Sequence, residues 1–272
     1  MKHLLNNATQ GSDKPWVTLD NEEIVHYSGL TAEDPLAALF NGYEAVDLGL
    51  TTDNGNHLLF ANCNVGASEP TDNGKYFQWG ATEGYYKNEQ GAKDNSTWIT
   101  TPYQTAQTSD YNQTKFTKYL GSTSSSFKDP SATDANALKT TLDPSDDAAH
   151  VNMGGSWRMP TAAEFQELYD NTTCTWVTID GVNGRKFTSK TNGNYIFIPA
   201  SGYFRYGSFY SGGSNGYGWS SSLCSSNPYY ALNLLFNSGV VYPQGNFNRY
   251  YGFPVRGVIE LTEEQYQLYL NK

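Results

Sequence analysis

Between Thr191 and Ile259 the chain has no aspartate, glutamate, lysine or histidine, although the whole protein holds 27 acidic residues and 17 lysines and arginines. A stretch without carboxylate, imidazole or amine offers nothing for general acid or base work, and no carboxylate oxygen for a hard cation. Its charges are Arg205, Arg249 and Arg256 alone, so the acidic excess behind the net charge of -10 lies outside it. An acidic chain lacks the basic footprint that nucleic-acid binding requires. Cysteine is scarce as well. Cys63, Cys174 and Cys224 are too few and too far apart for a disulfide scaffold or a zinc site. They leave two readings, a Cys63 to Cys174 pair or buried free thiols. No long apolar run and no signal-peptide pattern occurs, so no membrane span is expected, and either the chain is used without Sec export or a leader was removed ahead of it.

What fills the uncharged stretch is Tyr, Phe, Ser, Gly and Asn: SGYFRYGSFYSGGSNGYGWSSS, then NPYYALNLLFNSGVVYPQGNFNRYYGFPVRG. Tyr supplies large amphipathic contact area with few rotatable bonds, and Ser, Gly and Asn supply adaptable hydrogen bonding, the mixture found in antibody loops. The segment therefore reads as a recognition surface. Aromatic content of 15% with 26 glycines in 272 residues fits a loop-rich β or α+β domain.

Residues 1–41 are polar, with one short helix expected near Thr31 to Phe40, and read as an attachment or docking arm. The main domain, 42–260, opens with a strand at YEAVDLGL and a second at LLFANCN. Residues 84–143 lack sustained periodicity and read as a surface insertion, not a second core. A short helix is expected around Asp143 to Ala149. Thr161 and Glu164 form a capping box ahead of a helix carrying Phe165, Leu168 and Tyr169 on one face. A hairpin follows, turning at Asp180-Gly181 or Asn183-Gly184, then a strand ended by Pro199. Further strands are expected at Tyr217 to Ser221, Ala231 to Asn237 and Val255 to Ile259. Thr262 and Gln265 cap a last short helix in 261–272. Along Tyr230 to Phe236 the period of two sets Leu234 and Phe236 on one face, leaving Leu235 exposed on the other.

The runs EAVDLGL, ANCNVGASEP, YFQWGATE, GGSWRMPTAAEFQEL, GYGWSSS and YYGFPVRGV, in that order, resemble the C-type-lectin-like domains of gut Bacteroidetes and their phages, in the formylglycine-generating-enzyme branch of that fold. The resemblance covers roughly residues 43 to 260 and implies a small twisted antiparallel sheet with flanking helices and long loops. A narrower likeness is to the variable proteins of diversity-generating retroelements, which carry hypermutated positions near the C-terminus. On that likeness Gly218, Cys224, Leu235, Gly245, Phe247 and Phe253 stand at displayed positions and Trp219 is scaffold. The formylglycine-generating relatives use a cysteine pair in the C-terminal part of the fold, where this chain has Cys224 alone, so that activity is not expected.

The expected ligand-binding set is Tyr206, Ser208, Phe209, Tyr210, Gly218, Cys224, Tyr229, Leu235, Tyr242, Gly245, Phe247, Tyr250 and Phe253, most of them flanking Gly, Ser or Asn. Trp79, Trp157, Trp176 and Trp219 are expected in the core. Arg256 is expected as scaffold, while Arg205 and Arg249 either anchor backbone carbonyls or meet ligand. No catalytic group is expected: His57 and His150 sit in no triad or metal spacing. No cofactor is expected either; a structural calcium would be held by acidic clusters such as Asp143, Asp146 and Asp147, which otherwise form an acidic helix start. The partner expected is a host cell-surface protein or glycan, bound by a phage tail component in the virion, with homo-oligomeric assembly, a trimer first, or other virion neighbours. A bacterial surface adhesin and an assembly subunit with the aromatic loops at a subunit interface are the alternatives.

Overall fold

The computed structural model of the protein describes residues 36–87, 107–109, 114–205 and 208–271, together with the backbone of two short paired strands, Trp16–Thr18 (β1) and Ile24–His26 (β2). Strands and helices are segregated and the sheets are antiparallel, so the protein is α+β. One three-stranded sheet joins Ala45–Thr51 (β3), His57–Asn64 (β4) and Arg256–Leu261 (β15), with β4 central and the last strand pairing with the early ones. A second joins Thr172–Ile179 (β6), Val182–Ser189 (β7) and Tyr195–Pro199 (β8) in sequence order. A third joins Gly216–Leu223 (β11), Tyr230–Phe236 (β12) and Val241–Asn248 (β13). Two small ladders pair Tyr76–Phe77 (β5) with Phe253–Pro254 (β14), and Tyr203–Arg205 (β9) with Ser208–Tyr210 (β10).

Local chemistry sets several boundaries. The hairpin from β6 to β7 turns at Asp180 and Gly181, whose φ values of 49° and 79° give the left-handed pair that a tight two-residue turn needs. Asn183 and Gly184 are inside β7. Besides the short helix Ala37–Phe40 (α1), helices form at Asp134–Leu138 (α2), Ala148–Met153 (α3), Ala162–Asn171 (α4) and Glu263–Leu270 (α5). Both expected capping boxes are present, Thr161 with Glu164 on α4 and Thr262 with Gln265 on α5. The acidic start around 143 becomes a 3-10 turn, Pro144–Asp146, followed by α3 with Asp147 as its N-cap. Residues 31–35 of the expected first helix lie outside the described residues.

The larger core cluster gathers Trp79, Trp157, Trp219, Phe77 and Phe253; the other sets Phe165 and Leu168 of α4 against Phe60, Phe187, Phe236 and Val258. Leu36 and Phe40, within the expected arm, are part of the larger cluster. Each fully buried tryptophan has its indole N–H bonded: Trp79 to the Ser220 carbonyl, Trp219 to that of Phe77 and Trp157 to that of Phe40. Trp176 is half-buried, edge-on to Phe236. Residues 116–137 carry a small cluster of their own, Phe116, Leu120 and Ala137, with Phe127 packed against it. Cys63 and Cys174 are free thiols, raised by burial, Cys174 to about 11, so the disulfide option is corrected. The expected exposure of Leu235 is corrected too: β12 is the middle strand, and Leu235 is half-buried against the larger core.

Candidate functional site

The uncharged segment builds two adjoining surfaces, starting with the β9–β10 hairpin. Its register opposes Tyr203 to Tyr210, Phe204 to Phe209 and Arg205 to Ser208. Alternation then sends Phe204 and Phe209 to one face, where both rings meet Tyr76 edge-on at 5.0 and 6.1 Å. Tyr203, Arg205, Ser208 and Tyr210 share the other face. The hairpin is fixed to the body by reciprocal backbone hydrogen bonds between Phe204 and Gly252, 3.0 and 2.9 Å. Gly202 at its base has φ 64°, and a Cβ there would lie 2.4 Å from the Tyr210 carbonyl oxygen.

The second surface is one face of the β11–β12–β13 sheet. Register places Tyr217, Leu235 and Tyr242 in one row, Trp219, Asn233 and Gly245 in the next, and Ala231 with Phe247 in a third. A bulge between Asn233 and Leu235 takes up the extra residue in β13, so Tyr242 and Gly245, three apart, still face the same way. Pro243 sits in that bulge on an edge strand, where its missing N–H is tolerated.

Ring contacts join the two surfaces. Tyr203 stacks on Tyr210 at 5.3 Å and on Tyr251 at 5.4 Å, and meets Tyr217 at 5.0 Å and Phe247 at 6.3 Å. Aromatic pairs of this kind add about 0.5–1.5 kcal/mol each beyond their buried area, so the assembly is rigid as well as apolar. Tyr217, Tyr251 and Phe253 form its floor, with Phe253 stacked on Trp219 at 4.2 Å. Burial pushes the Tyr217 hydroxyl up, while the Asn215 side-chain hydrogen bond pulls it back. Tyr210 is 41% exposed and Tyr242 54%, with Tyr203, Phe247 and Leu235 half-buried between them. Arg205 lies 5.7 Å from the Tyr251 ring centre, and it is the one charged side chain on the five strands β9 to β13.

Of the expected set, Ser208, Tyr210, Leu235, Tyr242, Gly245 and Phe247 therefore come together on one face, and Tyr203, Arg205 and Tyr217 belong with them. The others are placed differently. Phe209 is turned to Tyr76 beneath the hairpin, with the Lys87 ammonium 3.8 Å from its ring centre. Gly218 is buried on the opposite face of the sheet, where a Cβ would touch Phe165. Cys224 is buried, its sulfur 3.3 Å from the Ser226 hydroxyl. Tyr229 packs edge-on to Phe116 and Phe127 at 5.6 and 4.9 Å, covering the small cluster of the insertion. Tyr250 and Phe253 are core residues. Gly218 and Cys224 are expected at the face on the variable-protein likeness, and the aromatic residues on the Gly-, Ser- and Asn-rich composition around them; contacts with other segments cover Phe209, Tyr229 and Phe253 instead. Tyr206 lies outside the described residues. The sign that could have added Tyr203 was its place opposite Tyr210 in a short hairpin.

Arg249 and Arg256 are scaffold. Arg256 donates to Asn64 Oδ1 at 2.9 Å and to the carbonyls of Ala61, Asn62 and Phe197, tying β4 to β8. Arg249 donates to the carbonyls of Tyr119, Pro228 and Lys118, with the rings of Trp79 and Phe116 within 4.7 and 4.3 Å. Burial lowers both guanidinium groups, Arg249 to about 9 and Arg256 to about 10, which leaves them charged at neutral pH. His57 stacks on Tyr266 and pairs with Glu263, and His150 Nδ1 faces the Trp157 carbonyl. Asp143 and Asp146 pair with Lys118, Asp143 also with Lys139, while Asp147 accepts from the His150 and Met159 amides. Among the described residues no His, Cys, Asp and Glu group is arranged to hold a metal ion, and no helix is long and apolar enough to cross a membrane.

No protein-family model, no curated protein and no solved structure matches this chain.

Proposed function

We propose that the protein is a non-catalytic recognition protein that engages a cell-surface ligand through the face built by β9 to β13. The observation that carries this is the contiguous aromatic face, with Tyr210 and Tyr242 exposed at its two ends, on strands whose one charged side chain is Arg205. Exposed aromatic area over a rigid, packed floor is what binding hot spots need, and the face holds no carboxylate, imidazole, amine or thiol for catalysis. The motif order argues for a C-type-lectin-like domain working as the host-attachment element of a phage tail, with a bacterial adhesin as the other setting for the same face.

The test is retention of labelled protein by whole cells of gut bacteria, comparing wild type with Tyr210→Ala/Tyr242→Ala and with Tyr195→Ala. Tyr195 is 48% exposed on β8, away from the aromatic face, and serves as the control. The double variant is expected to lose retention with unchanged thermal unfolding, and Tyr195→Ala to keep it. If the face instead joins copies of this chain, the double variant lowers the oligomeric state seen in sedimentation and leaves cell retention of the monomer unaltered.

A further inference from the structure

Beside α3 a cavity of about 430 Å³ opens between the 141–144 stretch and the 155–159 segment. Backbone hydrogen bonds fix both walls. Leu142 donates to the Ser221 carbonyl at 3.0 Å and Ser156 to that of Leu39 at 2.9 Å, while Arg158 and Val258 bond each other at 3.0 and 2.8 Å. Sites for small molecules are clefts of this size, largely apolar, with a few placed polar groups. Pro144, Leu142 and the His150 ring border this one, and the exposed Thr141 and Ser156 stand on its rim. Two charged side chains reach it and neither is free. Asp147 Oδ1 accepts from the His150 amide at 2.9 Å and Oδ2 from the Met159 amide at 2.8 Å. Arg158 holds Glu164 at 2.8 and 2.5 Å and Glu260 at 3.3 Å. A charged ligand would have to break one of these sets, so the cavity suits a neutral one. One polar atom remains. His150 Nδ1 lies 3.1 Å from the Trp157 carbonyl, and a carbonyl only accepts, so in the neutral ring Nδ1 carries the proton and Nε2 is an acceptor. Nε2 has no hydrogen-bond partner among the described residues and is not one of the sealed, unpaired atoms, so it is open to a ligand at the half-buried ring.

We propose that this cavity binds a small neutral phenol, its O–H donating to His150 Nε2 while its ring lies against Pro144 and Leu142. The cavity shares no residue with the aromatic face, so it stands apart from the recognition reading. An open imidazole acceptor calls for a donor, and a phenolic O–H, more acidic than an aliphatic one, is the stronger donor. The apolar border favours a ring over a polyol, whose further hydroxyls would lose water without gaining partners.

The experiment titrates the full chain with p-cresol and with toluene, read by protein NMR. Toluene has the same ring and methyl group but no donor, and p-cresol is expected to bind about ten-fold tighter. His150→Asn keeps an N–H toward the Trp157 carbonyl and removes the Nε2 acceptor. It is expected to bring p-cresol down to the toluene level while toluene is unchanged. A merely structural His150 would move both ligands alike or neither. Ser156→Phe, at an exposed position on the rim, is expected to weaken both, which keeps the test decisive if His150→Asn does not fold. No binding of p-cresol at millimolar concentration, equal binding of the two probes, or an unchanged preference in folded His150→Asn overturns the proposal. Tighter binding of a tyrosine-containing peptide than of p-cresol would assign the cavity to a partner's side chain and also overturn the free phenol.

Discussion

Arg249 carries a full charge into the core with no carboxylate opposite it among the described residues. Three backbone carbonyls and two aromatic rings take that place, and through them the 116–120 segment is held to the end of β13. Lysine cannot spread donors over the same three carbonyls. Arg249→Lys is therefore expected to cost about 2 kcal/mol or more, read from urea midpoints. Two tyrosine and carboxylate groups set pH limits. Burial, with the hydrogen bond to Asp47, pushes Tyr266 from its ordinary 10.0 up to about 12. The fold thus favours the neutral phenol: this stabilisation is complete below pH 10.0 and is lost as pH rises toward 12. The Lys139 hydrogen bond holds the Asp143 carboxyl below its ordinary 3.8, so that stabilisation is present above 3.8 and lost as pH falls below it. Urea midpoints against pH are expected to decline at both ends, and the alkaline decline is expected to be smaller in Tyr266→Phe.

Among the elements, those with local signatures were legible in the chain. Thr161 accepts from the Glu164 amide at 3.2 Å, and Glu164 accepts from the Thr161 amide at 2.7 Å, a reciprocity that four residues specify by themselves. Thr161→Ala is expected to cost about 1 kcal/mol. Glu164→Ala is expected to cost more, because Arg158 then keeps the 3.3 Å contacts to Glu260 and to the Met159 carbonyl and loses its two shorter ones. The hairpin after it was legible as well, its turn open between Asp180-Gly181 and Asn183-Gly184; the structure puts it at the first. Strand β13 was not: Pro243 and Gly245 read as turn residues, and the bulge breaks the alternation that would have revealed a strand. The face was legible as composition but not residue by residue. Phe253, Phe209 and Tyr229 pack against Trp219, Tyr76 and Phe116, all distant in sequence, and Tyr250 is buried in the larger core.

On the scale of the whole molecule the protein separates its acidic charge from its exposed aromatic face. All 27 acidic residues lie outside the stretch from Thr191 to Ile259. Two of that stretch's three arginines are sealed inside. What remains on the surface is an aromatic face with Arg205 as its one charged side chain, and its floor, Tyr217, Tyr251 and Phe253, belongs to the larger core, so its shape is set by the fold. Attachment through it is expected to change little between low and high salt, since Arg205 is the one charge on it for salt to screen. The most direct test is the retention of Tyr210→Ala/Tyr242→Ala on target cells beside wild type and Tyr195→Ala. Loss of retention in the double variant alone, with thermal unfolding unchanged, is the result predicted; equal retention of all three proteins would contradict it.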